Sequence, residues 1–112
     1  MTKAVFRKKE GLYINFEVNG HASYADSGND IVCAGISTAV IMSINLLDKL
    51  IPDLFEVIQD DAVGYICLKN IEYSKMSTCD ISIVTKIIDN LIETLESMQA
   101  NYQNHLKVKI EN

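Results

Sequence analysis

The chain has no tryptophan, one proline and five glycines among its 112 residues. Its two histidines and three cysteines contain no CxxC pair. A zinc site needs about four ligands at recognisable spacing. His21, Cys33, Cys67 and Cys79 do not offer that spacing, so no metal is assigned. Neither GxxxxGK[ST] nor GxGxxG occurs, which removes phosphate-cradling loops of those two kinds, and no cofactor is implied. Basic residues are also few: ten Lys and Arg stand against fifteen Asp and Glu, for a net charge of −5. That balance argues against direct nucleic-acid binding, which usually shows a basic face. Internal repeats, linkers and low-complexity runs are absent, and missing Trp beside abundant Ile, Asn and Lys is compatible with an AT-rich genome. Met1-Thr2-Lys3 leads straight into a strand pattern with no signal peptide before it. Together with the odd cysteine count, this predicts reduced thiols and a cytoplasmic location.

What is present suits one globular unit. The length predicts a single domain, residues 1–112. Hydrophobic residues make up 48% of the chain, too many for a disordered segment. Residues 31–47 are apolar enough to raise the question of a membrane span. Ser37, Thr38, Ser43 and Asn45 interrupt them, however, and Asp48 and Lys49 follow at once. The stretch falls short of the roughly 20 mostly apolar residues that a span requires. A buried core helix is the expectation, with no membrane partner.

Periodicity supplies the element order. Lys3 to Lys9 reads as a strand, Glu10-Gly11 as a turn and Leu12 to Asn19 as a second strand, together a hairpin. Alternation in the second strand predicts Ile14, Phe16 and Val18 on one face and Tyr13, Asn15 and Glu17 on the other. Residues 20–29 are a polar, Gly-containing loop. Asp30 stands where an N-cap belongs, and Ile31 to Leu50 forms a helix that Pro52 ends. Apolar side chains cover most of its circumference, which predicts burial on most sides, with a partner subunit helping to cover it. Leu54 to Gln59 and Ala62 to Lys69 read as a second hairpin around Asp60-Asp61, and residues 70–76 are ambiguous. Ser77 then begins an amphipathic helix through Val84, Ile88, Leu91, Leu95 and Tyr102. Its polar face, including Lys86, Asp89 and Glu93, reads as a solvated surface. His105 to Glu111 is a last strand. The order is ββαββαβ. The expected fold class is α+β, with a mostly antiparallel or mixed sheet covered by two helices.

The chemistry concentrates at the start of the first helix. With Asp30 as cap, Cys33 is the third helical residue. Unpaired N–H groups and the positive end of the helix dipole gather there, and both stabilise a thiolate. A thiolate attacks carbonyl carbon, an imidazole can pair with it and then protonate the leaving amine, and helix N–H groups can hold an oxyanion. His21 stands twelve positions earlier on the loop, within folding-back distance. Against this, a cysteine on an apolar helix is usually a small buried hydrophobe.

Gly20-His21-Ala22, Tyr24, Gly28, Asp30-Ile31-Val32-Cys33-Ala34 and Ser37 resemble the signature of the ribosomal-processing cysteine proteases, G-H-A-x-Y-x-x-x-G-x-D-I-V-C-A-x-x-S. Ser23 and Ala25 fill positions the pattern leaves open. Length and element order agree over the rest of the chain. The resemblance implies a cytoplasmic cysteine endopeptidase with a small α+β fold that forms a homodimer. It implies removal of the N-terminal extension of a large-subunit ribosomal protein, cut after paired aromatic residues and before a small one. It also implies that His21 is the base and Cys33 the nucleophile.

The other matched positions carry supporting roles. Asp30 caps the helix and is a candidate to orient His21. Gly20 and Gly28 supply backbone freedom. Ser37 lies one turn after Cys33 and either lines the site or bonds back to its own helix. Tyr24 either stacks on a substrate aromatic or covers the core. Cys67 alternates within a strand and is read as core, Cys79 as incidental and His105 as a surface histidine. Two other functions stay open on the residues alone. One is a non-enzymatic ribosome-assembly module that grips the same extension, and the other is a redox-sensing thiol protein.

Overall fold

The structure, a computed structural model, describes residues 1–20 and 30–112. Strand β1 (Thr2–Lys9) turns through Glu10 and Gly11 into β2 (Leu12–Asn19). Both turn residues have positive φ, 53° and 81°, as the tight turns that suit a twisted hairpin require. Helix α1 spans Ile31–Leu50, β3 Glu56–Asp60 and β4 Tyr65–Lys69. A single 3-10 turn at Tyr73–Lys75 precedes α2 (Thr78–Asn101), and β5 is Leu106–Glu111. The sheet order is β3-β4-β2-β1-β5, with β1 and β5 parallel and every other pair antiparallel. The expected α+β class and element order are therefore found, with a mixed sheet.

Both helices pack on one face of this sheet. Ala4 and Phe6 of β1, Phe16 and Val18 of β2, and Leu68 of β4 meet Val32, Ile36, Val40, Ile44 and Leu47 of α1 in one core. Val84, Ile88, Leu91, Ile92 and Leu95 of α2 complete it. The Phe6 and Phe16 rings lie 5.2 Å apart at 30°, a tilted pair of a kind worth about 1 kcal/mol beyond the area it buries. On the opposite face Arg7 ties three strands together. It donates to Glu17 (3.0 Å) and Asn15 (3.1 Å) on β2 and to Glu111 (3.0 Å) on β5.

Four sequence expectations shift. In β2 the register passes from Arg7↔Asn15 to Lys8↔Tyr13, so Ile14 is the extra residue of a β-bulge. The slip of one residue exchanges faces: Tyr13 is 3% exposed and Ile14 39%. Buried Tyr13 then needs a partner for its hydroxyl and donates to Asp89 of α2. Asp89 is thus a packing partner rather than part of a solvated face.

In the second hairpin, β3 starts two residues later than expected and β4 three. Leu54 and Phe55 pack irregularly against the core, held by the Glu72 N–H on the Leu54 carbonyl at 2.8 Å. The Asp60 carboxylate accepts the Ala62 N–H at 3.1 Å, which draws residues 61–64 into the turn.

Finally, α1 is long and apolar enough to cross a membrane by composition, yet it buries one stripe only. Met42, Leu46 and Leu50 remain exposed, at 67%, 46% and 40%. The neighbouring α2 and the sheet cover one side of a helix that is apolar on nearly all sides.

Candidate active site

Asp30 sets the geometry of the α1 start. Its extended backbone (φ −79°, ψ 96°) lets the side chain fold back, and the carboxylate accepts the Cys33 N–H at 2.9 Å. Its carbonyl accepts the Ala34 N–H at 3.1 Å. Cys33 is thereby held in the first turn, half-buried. The capping role expected of Asp30 is found. The cap also takes up the Cys33 N–H, one of the donors that a helix start otherwise leaves unpaired.

The Cys33 side of α1 faces a cavity of about 170 Å³. One wall is Cys33, Ile36, Ser37, Val40 and Ile41, which share a side of the helix. The second wall is the β3–β4 hairpin, through Gln59, Asp61, Gly64, Tyr65 and Ile66. Thr2, Val18 and Gly20 close it where β1 begins and β2 ends. Ser37 therefore shares the cavity with Cys33, whereas Thr38 and Ser43 bond back to helix carbonyls, each at 2.8 Å.

Gly20 is pinned from several directions. Its N–H donates to the Gly64 carbonyl at 3.0 Å, and its carbonyl accepts the hydroxyl of buried Thr2 at 3.4 Å. Its φ is +98°, and a Cβ there would stand 2.7 Å from the Met1 carbonyl oxygen. Only glycine satisfies both conditions without moving backbone. The segment that follows Gly20 in sequence thus leaves from a rigid point.

His21, Tyr24 and Gly28 lie outside the described residues. Of the other sequence candidates, Cys33, Ser37 and Gly20 meet at the cavity and Asp30 caps the helix beside it. Cys67 is buried, but cross-strand from Glu17 and Ile58, on the sheet face away from the helices. Cys79 is exposed at the α2 start, and half-buried His105 offers its carbonyl to the Thr2 N–H at 3.0 Å. Among the described residues, no group of three or more His, Cys, Asp or Glu side chains is placed to hold a metal.

Sequence reading passed over Thr2, Gln59, Asp61 and Tyr65. Nothing local marks them, because only the fold brings the hairpin to α1. The Tyr65 hydroxyl is pushed up to about 12 by its hydrogen bond with Cys67, by burial and by Glu17. It stays protonated and donates to Glu17 at 3.1 Å.

The family model described as "Cysteine protease Prp" matches residues 1–107. The chain belongs to this family. The Prp assignment makes it a cysteine peptidase and agrees with the cavity-facing thiol. The ribosomal processing cysteine protease Prp of Bacillus subtilis is 27% identical, over 96% of each chain. That of Mycoplasma genitalium is 31% identical over 87% of this chain and 89% of its own. The fold matches a solved structure of the essential ribosomal processing protease Prp from S. aureus in complex with a covalently linked product peptide. The TM-score is 0.84 at 20% identity, over 99% of this chain and 100% of that one.

Proposed function

We propose that residues 1–112 act as one cytoplasmic endopeptidase domain that removes the N-terminal extension of a large-subunit ribosomal protein. Cys33 is the nucleophile and His21 the base. The observation that carries this reading is the placement of Cys33: a half-buried thiol on a capped first helical turn, in the wall of a largely apolar cavity. The Prp relatives, named for ribosomal processing, supply the substrate class.

The chemistry is acyl transfer through the enzyme. His21 takes the Cys33 proton, and the sulfur attacks the scissile carbonyl carbon to form a C–S bond. N–H groups at the start of α1 stabilise the oxyanion. Collapse of the tetrahedral intermediate breaks the C–N bond, and His21 protonates the departing amine. Water, deprotonated by His21, then cleaves the thioester. Asp30 steadies the helix start and orients His21, Ser37 borders the bound peptide, Gly20 and Gly28 shape the loop, and Tyr24 stacks on the substrate. The cavity suits one large apolar side chain, such as an aromatic residue before the cut. No metal or cofactor enters these steps.

A second copy of the chain covers the exposed apolar side of α1. Met42 and Leu46, together with Ile83 and Ile87 of α2, line a shallow groove there. Burying such a patch is the usual reason for homodimerisation.

The test is mass spectrometry of the organism's own extended ribosomal protein after incubation with the wild type and with Cys33→Ala. A single cut after an aromatic pair, made by the wild type and missing with Cys33→Ala, supports the reading. An uncut substrate that still co-purifies overturns it in favour of an assembly module.

A further inference from the structure

The described residues of the cavity's α1 wall are uncharged, and its hairpin wall carries one charge. Among the described residues that line it, Asp61 is the single charged side chain, and no Lys or Arg is present. The carboxylate is held in place: Gln59, itself a lining residue, donates from Nε2 to Asp61 Oδ1 at 2.8 Å. The neighbouring Asp60 carboxylate is occupied by the Ala62 N–H, so it steadies the turn. The turn is tied to the cavity floor through the Gly20 N–H on the Gly64 carbonyl at 3.0 Å. Asp61 therefore stands as an exposed anion on a fixed support, across the cavity from the wall that holds Cys33. Among the described residues no cationic side chain pairs with Asp61, and a hydrogen-bonded carboxylate of this kind is a ready acceptor for a cation supplied by a ligand. The chain's net charge of −5 adds a long-range attraction of the same sign.

We propose that Asp61, oriented by Gln59, is a specificity-determining residue that selects peptides carrying a Lys or Arg close to the side chain seated in the cavity. This rests on the peptidase reading above and adds to it a charge requirement on the substrate. Asp61 acts on binding and register of the peptide and takes no part in bond breaking.

The experiment is a position scan of one peptide series cut by the wild-type protein. Lys, Gln or Glu is placed in turn at each of the three positions on either side of the cleaved bond, and kcat/KM is measured at low and high salt. The expected result is one position at which Lys exceeds Gln by about fivefold at low salt, the scale of a partly exposed ion pair, with the gain fading at high salt. At that position Asp61→Asn brings the Lys/Gln ratio to about one, and Asp61→Lys makes Glu the preferred residue. A wild-type ratio near one at every position overturns the inference and leaves the peptidase reading standing. A Lys preference that survives Asp61→Asn overturns it too. Failure of the wild type to cut any peptide overturns both.

Discussion

Helices α1 and α2 begin alike. Each is capped by a side-chain oxygen that accepts an N–H three residues on, Asp30 from Cys33 and Ser77 from Asp80. Each carries a cysteine in its first turn, Cys33 and Cys79. Both thiols therefore sit at the positive end of a helix dipole, beside a carboxylate cap in α1 and beside a hydroxyl cap and Asp80 in α2. They differ in what stands opposite. Cys33 is half-buried and faces the β3–β4 hairpin across a cavity, while Cys79 is exposed and borders none of the three cavities described. A capped cysteine is thus a local device that this chain builds twice. The candidate site exists only where a second wall stands across a cavity from it.

The largest effect expected of this contrast is on turnover. Cys33→Ala lowers cleavage of the extended ribosomal protein by at least about 10⁴-fold, as loss of a nucleophile does, whereas Cys79→Ala leaves it unchanged; gel and mass readouts of the product check both. Comparable losses from the two substitutions would break the comparison.

Next comes the floor of the cavity. Gly20→Ala forces a Cβ to within 2.7 Å of a backbone oxygen at a φ of +98°. We expect about 2 kcal/mol of destabilisation by urea unfolding, with activity lost beyond what stability explains, because the segment bearing His21 departs from this point. Full activity in a folded Gly20→Ala protein would show that the anchor is dispensable.

Third, Asp30→Ala and Ser77→Ala should each cost about 1 kcal/mol, the usual worth of an N-cap. Only Asp30→Ala should also slow alkylation of Cys33 by a limiting thiol reagent, followed by peptide mass spectrometry. Equal alkylation rates at Cys33 and Cys79 in the wild type would remove the distinction between the two helix starts.

The smallest effect sharpens the comparison from behind. A Cβ on Gly35 would stand 2.9 Å from the Met98 terminal methyl, where α1 meets α2. That methyl ends a flexible side chain, and alanine is the better helix former. Gly35→Ala should therefore change stability by less than about 1 kcal/mol in thermal unfolding, in contrast to Gly20→Ala.

The α1 start was legible in sequence because its signals are local. An Asp three residues before the Cys, an apolar run behind it and Pro52 after it specify a capped helix without reference to the rest of the chain. The observed bounds Ile31–Leu50 agree with that reading. The α2 cap at Ser77 was legible for the same reason. The β2 face assignment failed at Tyr13 and Ile14 because a bulge is a property of two strands together. The register slip at Arg7/Lys8 cannot be seen in either strand alone.

The sequence by itself determined the elements, their order, the two capped helix starts and, through one dense motif, the family. Each of these rests on interactions among residues a few positions apart, or on a pattern carried by the chain directly. Tertiary structure alone decided which thiol has a cavity, since its opposite wall comes from Gln59, Asp61 and Tyr65, well beyond the end of α1. It likewise decided that Tyr13 is buried on Asp89 and that α1 keeps one apolar side uncovered. The physical reason is the same in each case. Burial and cavity shape depend on which surfaces meet, and that is set by sheet register and helix packing across the whole chain, not by any one stretch of it.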